Sequence, residues 1–494
     1  MFSTRSLKPI VVAVFAFTSI QTVTVNAEPP GTHPANAPAS KKQAAPAPAP
    51  EATAAPVEGA VAAEPEATQP EAGITPEIDI AESEPEQGAV PLKDLDMGEP
   101  VTESGKPRPF FADTSLKLGL RNYYFYRHKY DRSNSEAWAQ GVSLAYKSGY
   151  LANHFAIGAV LYTSLPLYAP ESRDGTGLLH PDQEEYTVLG QIYGEIKIVD
   201  GLQMNFGRKE YNTPYVNAHD VRMTPKTFQG VTLTGTHKGR AEGSNWRYGA
   251  GYLYKMKDWN QGDFDWTSEA LGVDEERGIA MLGGNYSTKR FSIGAIDYIS
   301  PDLINIFYTE GSYGWALSDN TSIKLSAQLS DQRSTGDELI TNEDFDVQQW
   351  GAKADFGLWD ATVSVGFTDT TGGSDGMRSP WGGYPGYTSV QVKDFNRADE
   401  SATILKVAYD FTDLGAPGLS AYALWVHGFN VDEPNFDEDE VDMNLQWAPK
   451  EGKMKDFSAR VRYARIFQDG GGDPVIDDFR VIFNYTFNIL PWKY

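Results

Sequence analysis

Cysteine is absent from the 494-residue chain, which excludes disulfide bridges, thiolate metal sites and thiol catalysis. A chain without thiols suits an oxidising compartment, where an unpaired cysteine is a liability. Basic residues are also scarce, because 42 Lys and Arg stand against 67 Asp and Glu and the net charge is −25. Nucleic acid phosphates attract clustered Lys and Arg, so this balance argues against a nucleic acid partner. The sequence indicates no cofactor and no metal site.

Long apolar runs are lacking, apart from one at the start of the chain. Arg5 and Lys8 precede the run Ile10 to Ile20, and Val25-Asn26-Ala27 supplies small residues at the usual cleavage spacing. A transmembrane helix needs about 20 predominantly apolar residues. We therefore predict that residues 1–27 are a cleaved signal peptide, with a retained helical anchor as the alternative.

Residues 28–109 are rich in Pro, Ala and Glu and have few large apolar side chains. Such a composition cannot bury enough apolar surface to fold, so we predict a disordered periplasmic segment, in part polyproline II. Two roles stay open for it. The segment is either a spacer or a tether that reaches peptidoglycan, with the rest of the chain as its anchor.

Aromatic residues and glycine are plentiful, with 26 Tyr, 24 Phe, 11 Trp and 47 Gly, although the mean hydropathy is only −0.43. Strands that alternate apolar and polar side chains give this combination. In the last strand, Phe479, Val481, Phe483, Tyr485, Phe487 and Ile489 share one face, opposite Arg480, Asn484, Thr486 and Asn488. The polar face recurs from strand to strand, which favours a water-filled lumen over the second apolar layer that a soluble sandwich needs.

Connections between the strands alternate in length. Nine longer ones fall near 127–136, 164–184, 209–229, 257–277, 300–304, 332–345, 369–401, 429–440 and 468–477, and eight shorter turns separate them. This pattern predicts an all-β fold in residues 110–494, a transmembrane antiparallel β-barrel of about 18 strands with an aqueous channel. Alternation is weakest over 229–236 and 419–428.

Basic side chains are predicted to share one wall of the lumen. Strand parity directs Arg460, Arg462 and Arg480 inward on the last two strands, and the first strand, which closes against the last, adds Lys117 and Arg121. A row of such groups can pass a carboxylate from one cation to the next. The alternative is that these residues are isolated and balanced by nearby acids.

Three groups of loop residues are candidates for a role in the pore. Asp174, Asp220 and Arg222 are placed in constriction loops, although Asp174 also suits a turn and Arg222 can pair with Asp220. Trp381, Tyr384 and Tyr387 can stack on a ring-shaped solute at the mouth or pack within their own loop. We interpret the acidic run 437–440 as a solvated outer loop rather than a cation site.

An enzymatic function is the rival class, because a hydrolase needs a nucleophile beside a base that a third group holds. None of the seven histidines falls in a recognisable hydrolase motif. We predict no catalytic residue.

From residue 110 onward the chain resembles the OprD family of substrate-selective outer-membrane porins. The resemblance rests on Leu120-Arg121-Asn122-Tyr123-Tyr124, Trp138-Ala139-Gln140-Gly141, Ser148-Gly149-Tyr150, Asp174-Gly175-Thr176-Gly177-Leu178-Leu179, the stretch from Asp220 to Gly230, and Ser458-Ala459-Arg460-Val461-Arg462-Tyr463-Ala464. The sequence departs from the family pattern in its long Pro/Ala/Glu segment and at His219, where the family commonly has Asn.

The resemblance implies an 18-stranded barrel, loops folded into the pore, and a basic wall that faces a more acidic patch. It implies passive uptake of small carboxylate-bearing solutes such as amino acids and organic or aromatic acids, with chitooligosaccharides as the alternative. The expected surroundings are outer-membrane lipid and lipopolysaccharide, and the porin is either a monomer or a trimer.

Overall fold

The computed structural model describes residues 110–490, apart from 112, 242, 374, 432–435 and 470–474. The predictions for the signal peptide and for residues 28–109 lie outside this part of the chain. Eighteen strands form one sheet: β1 Ser115–His128, β2 Asn134–Lys147, β3 Phe155–Tyr168, β4 Tyr186–Val199, β5 Leu202–Lys209, β6 Thr227–Lys238, β7 Asn245–Lys257, β8 Ile279–Ser287, β9 Phe291–Ser300, β10 Ile304–Ser318, β11 Thr321–Ser334, β12 Asp346–Leu358, β13 Ala361–Thr371, β14 Ser401–Asp410, β15 Leu419–Phe429, β16 Glu438–Trp447, β17 Phe457–Gln468 and β18 Val475–Leu490.

The connections carry only short elements. A two-residue strand, Asp265–Trp266, pairs with the last residues of β7, past the part of β7 that pairs with β8. Single 3-10 turns occur at Glu171–Arg173, Pro181–Gln183, Glu269–Leu271 and Thr412–Leu414. Within the described ranges, no helix is long and apolar enough to cross a membrane.

Each strand pairs antiparallel with the next, and β18 returns to β1 with Leu116 opposite Leu490 and His128 opposite Asp477. This last pairing closes the sheet, so backbone groups at both of its edges are bonded, as a bilayer requires. The predicted 18-stranded barrel is confirmed. The predicted alternation of connection length is not strict, because 301–303, at the end of the barrel that carries the long loops, has three residues, whereas 411–418 and 448–456, at the other end, have eight and nine.

The outer face carries a band of aliphatic side chains flanked by tryptophans. Towards the long-loop end, Trp138, Trp350 and Trp425 are exposed on the outer face, and towards the short-turn end Trp246, Trp315, Trp359 and Trp447 are exposed. Aromatic girdles of this kind mark the two interfaces of a membrane.

Part of the inner face is apolar, where apolar side chains of a loop pack against it. The weakly alternating stretch 419–428 forms β15, whose inward Leu424 and Val426 are buried against Val390 and Phe395 of a loop. The loop supplies the apolar partner, which explains why the alternation fades there. The other weak stretch forms β6 and keeps Val231 and Leu233 outward, opposite inward Thr232 and Thr234.

Candidate functional site

Several of the described long connections fold into the lumen, among them residues 169–185 (L2), 210–226 (L3) and 372–400 (L7). L3 enters at mid-height because β5 has only eight residues, whereas β4 beside it has 14. L2 buries Leu178 and Leu179 against the inward Tyr123 and Phe125 of β1. The loops thus narrow the channel from within.

L3 crosses the lumen and is fixed to the opposite wall by tyrosines. The ring of Tyr215 lies edge-on to Tyr298 of β9, Tyr308 of β10 and Tyr384 of L7, with centroids 6.0, 6.1 and 6.0 Å away. Its hydroxyl oxygen lies 2.5 Å from Ser330 Oγ of β11. These contacts are buried and hold the loop in one place.

L7 is held by carboxylates on the inner face of β16. The backbone N–H groups of Val392 and Lys393 donate to the two carboxylate oxygens of Glu440 at 2.8 and 2.9 Å, and Gln391 N–H donates to Asp442 at 3.0 Å. Lys393 Nζ pairs with Glu438 at 2.8 Å. The prediction that 437–440 is a solvated outer loop is therefore wrong for Glu438 and Glu440, which are buried strand residues.

The predicted basic residues lie on the inward parity of three adjacent strands. Arg462 of β17 and Arg480 of β18 are direct partners across the sheet, and Arg480 lies opposite Phe125 of β1. Arg460 is the next inward residue of β17 after Arg462 towards the short-turn end, and its Nε donates to Asn444 Oδ1 at 2.6 Å. Lys117 is exposed near that end. Their role in solute passage stays a prediction.

Asp220 of L3 pairs with the wall rather than within its own loop. The guanidinium of Arg121 donates to both carboxylate oxygens at 2.6 and 2.7 Å, and also to the carbonyl of Arg222 at 2.6 Å. The alternative of an Asp220–Arg222 pair is thus not what the structure has. Asp174 accepts hydrogen bonds from the N–H groups of Gly175 and Asp182 at 2.5 and 3.0 Å, which is turn chemistry.

Three guanidinium groups surround the buried ring of Phe125. The Cζ atoms of Arg127, Arg222 and Arg480 lie 5.3, 5.1 and 4.9 Å from its centroid. Arg127 and Arg480 share one carboxylate, Asp478, at 2.7 and 2.6 Å. Arg222 has no carboxylate partner in the described part of the chain, and its Nε is buried without a hydrogen bond. The cluster therefore keeps positive charge in excess.

Arg222 faces a cavity of about 380 Å³ between L3, L7 and the wall. Its charged and aromatic lining includes Arg127, His219, Arg222, Lys226, Trp259, Tyr384 and Asp394. Burial, and then the charge of Arg480, lower the pKa of Arg222 to about 9, so the group is still protonated at neutral pH. Burial also lowers the pKa of Lys226 and raises that of Asp394 to about 6.

The three aromatic residues predicted at the mouth, Trp381, Tyr384 and Tyr387, lie in different surroundings. Trp381 is fully buried and donates from Nε1 to the carbonyl of Thr267 at 3.0 Å, and Tyr384 is buried beside Tyr215. Stacking of Trp381 on a solute at the mouth is thus wrong for this structure, because the ring belongs to the packed core of L7. Tyr384 lines the cavity, and Tyr387 lies under Lys353 Nζ, 5.3 Å from the ring centroid.

Three charged residues of the cavity were not predicted. Arg127 follows the parity of Lys117 and Arg121, so strand alternation alone was sufficient to find it. Lys226 and Asp394 lie in loops, where no periodicity indicates which way a side chain points.

The family model for "outer membrane porin, OprD family" matches residues 108–489. The chain belongs to the OprD family. Porin D of Pseudomonas aeruginosa is 23% identical over 432 residues, which cover 79% of this chain and 94% of that protein. The porin-like protein GalP of Pseudomonas putida is 22% identical over 409 residues and covers 77% of this chain and 93% of its own.

Solved structures show the same fold. OccK9 (OpdG) of Pseudomonas aeruginosa superimposes with a TM-score of 0.68 at 25% identity, over 77% of the porin and 100% of OccK9. OccAB3 of Acinetobacter baumannii gives a TM-score of 0.68 at 20% identity over the same shares. The porin is thus a channel of the bacterial outer membrane that passes small solutes.

Proposed function

We propose that this porin takes up small carboxylate-bearing solutes passively, and that Arg222 binds their carboxylate in the cavity between L3 and L7. The observation that supports the proposal is the guanidinium of Arg222, which borders this cavity without a carboxylate partner among the described residues. A guanidinium fork binds a carboxylate through two parallel hydrogen bonds. A solute carboxylate would supply the missing counter-charge.

The surrounding charges support an acid rather than a neutral solute. Arg127 and Lys226 border the same cavity, so a carboxylate at Arg222 is attracted from two further sides. Arg462, Arg460 and Lys117 then continue the basic wall towards the short-turn end. A carboxylate can move along them while it remains partly hydrated.

The oligosaccharide alternative has less support. A sugar channel relies on exposed aromatic faces, whereas Trp381 and Tyr384 are buried. In addition, the related OpdK was solved with vanillate, an organic acid anion. Tethering to peptidoglycan concerns residues 28–109 and stays a prediction.

Single-channel recording of occlusion by propanoate tests the proposal, together with liposome swelling in glycerol as an uncharged solute. Arg222→Gln should weaken occlusion of the channel by propanoate about tenfold or more, since hydrogen bonds to a charged group contribute about 1.5–3 kcal/mol. Entry of glycerol should be unchanged. Arg333→Gln is the matched control, because Arg333 lies on the outer face and pairs with Asp331. Equal losses in both variants would reject the proposal.

A further inference from the structure

His219 occupies a position in L3 where the backbone is held from several sides. Its φ angle is 40°, in the left-handed region that residues other than glycine seldom adopt. Its N–H donates to Asn217 Oδ1 at 3.1 Å, and its carbonyl accepts from Trp259 Nε1 and from Val221 N–H, both at 2.8 Å. A strained backbone persists only where its surroundings enforce it. The imidazole is therefore presented from a fixed point.

The ring of His219 forms part of the cavity wall and is only 7% exposed. It lies edge-on to Trp259 with centroids 4.8 Å apart. Neither Nδ1 nor Nε2 has a hydrogen-bond partner in the described part of the porin. Buried polar atoms without partners are unfavourable, and side chains commonly change rotamer on binding while the backbone stays in place. A small rotation of the ring brings a nitrogen to the cavity and to a partner there.

The charge state of His219 limits what that partner can be. Burial, together with the positive charges of Lys226, Arg222 and Arg480, holds the pKa of His219 well below its usual range. A neutral imidazole offers one donor and one acceptor. A hydroxyl group can complement either nitrogen, whereas an ammonium group can only donate and is repelled by Arg222 and Lys226. The ring therefore suits a hydroxyl.

We infer that His219 recognises a hydroxyl group on the solute whose carboxylate Arg222 holds, so that the porin prefers hydroxycarboxylates. The inference rests on the proposed function of Arg222. Asp394 borders the same cavity and would attract an ammonium group, so amino acids are the competing solutes.

The test measures how lactate, propanoate and alanine occlude single channels of the full-length porin in planar bilayers, at pH 7. A second pair, gluconate and hexanoate, places hydroxyls further from the carboxylate. The native porin should bind the hydroxylated member of at least one pair about five- to tenfold more tightly, and lactate more tightly than alanine. His219→Phe keeps the ring contact with Trp259, and His219→Gly suits the positive φ. Both should reduce the preference to less than about twofold while affinity for propanoate is retained.

Two further variants separate the possible failures. Arg222→Gln should weaken all the acids together, and if it does not, the proposed function itself fails. If Arg222→Gln does weaken them but both His219 variants keep the hydroxyl preference, the inference about His219 is overturned. It is also overturned if the native porin binds alanine more tightly than lactate, or shows no preference within either pair. His237→Phe, on the outer face of β6, should leave every affinity unchanged. Heat-modifiable migration on gels verifies that each variant is folded.

Discussion

The side chain of Asn217 in L3 pairs with both backbone groups of Gly383 in L7. Gly383 N–H donates to Asn217 Oδ1 at 2.9 Å, and Asn217 Nδ2 donates to the Gly383 carbonyl at 3.3 Å. The neighbouring Gly382 has to lack a side chain, because a Cβ there would lie 2.6 Å from the Asn217 amide. One amide thus joins the two loops that border the cavity.

Loosening this contact should widen the channel without unfolding it. In Asn217→Ala the buried N–H and carbonyl of Gly383 lose their partner, at a cost of about 1–3 kcal/mol each. We expect the single-channel conductance of Asn217→Ala to be larger and noisier than that of the native porin. Gly382→Ala should have the same effect. The melting temperature should stay within a few degrees, because strand pairing is untouched. Asn320→Ala, in a short turn, is the control. Quiet channels of native conductance in both loop variants would contradict the prediction.

Replacing Arg460 and Arg462 together with Gln should reduce anion preference. At about 0.2–0.5 kcal/mol for each charge, the low end of the range for screened charges, the anion-to-cation permeability ratio should fall about two- to fivefold. Reversal potentials in a salt gradient measure this ratio. Arg333→Gln provides a matched loss of charge on the outer face. An unchanged reversal potential would show that the two arginines do not line the path.

Anion preference should rise as the pH falls through about 6. Asp394 borders the cavity with a pKa raised to about 6 by burial, so acidification removes its negative charge and makes the cavity more positive. Burial and the charges of Lys226, Arg222 and Arg480 hold the pKa of His219 well below its usual range, which favours the neutral imidazole. Reversal potentials between pH 5 and 7.5 should show the change. The Asp394→Asn variant should have the high anion-to-cation permeability ratio at pH 7.5 already. If its ratio changed with pH as steeply as that of the native porin, Asp394 would not be the titrating group.

The orientation in the membrane can be checked with single cysteines, since the chain has none of its own. Glu343→Cys lies in a long loop and Asp319→Cys in a short turn, both at exposed positions. An impermeant thiol reagent added to intact cells should label the first and not the second. Ala60→Cys tests the predicted periplasmic location of residues 28–109, and it should also be protected. The opposite labelling pattern would reverse the orientation.

Deleting residues 30–105 should leave a folded channel. All eighteen strands lie within residues 115–490, and the sheet closes through β1 and β18. The variant should migrate as a heat-modifiable barrel with native conductance. A conductance several-fold higher would show that the segment occupies the lumen of the native porin. An unfolded product would show that the segment is neither a spacer nor a plug but is needed for folding.

Strand parity was sufficient to predict most of the fold, because a period of two assigns each side chain to one face of the sheet once the strand is known. It placed Arg462 and Arg480 inward, and the sheet register makes them neighbours. Parity cannot show what covers a wall. Phe125 is inward like Arg121, yet it is buried, because Leu179 reaches it from a loop some fifty residues along the chain.

For the site as well, the positions of loop side chains are what the sequence could not predict. Asp220 and Arg222 are two residues apart, which suggested a local pair, but Arg121 is in reach of Asp220 only after L3 has crossed the lumen. That pairing leaves Arg222 for the cavity. The buried position of Glu440 has the same origin, since the backbone N–H groups that stabilise it belong to L7.

The shortness of β5 has an electrical consequence. Because L3 leaves the wall after eight residues, it constricts the channel at mid-height, and a constriction concentrates ionic resistance. Most of a voltage applied across the membrane then falls over the cavity, and moving one elementary charge through 100 mV corresponds to about 2.3 kcal/mol. A carboxylate held at Arg222, as proposed, would sit within this steep drop, whereas one at Lys117, exposed near the short-turn end, would already have passed it. The time that an acid spends in the cavity therefore depends on the sign of the membrane voltage.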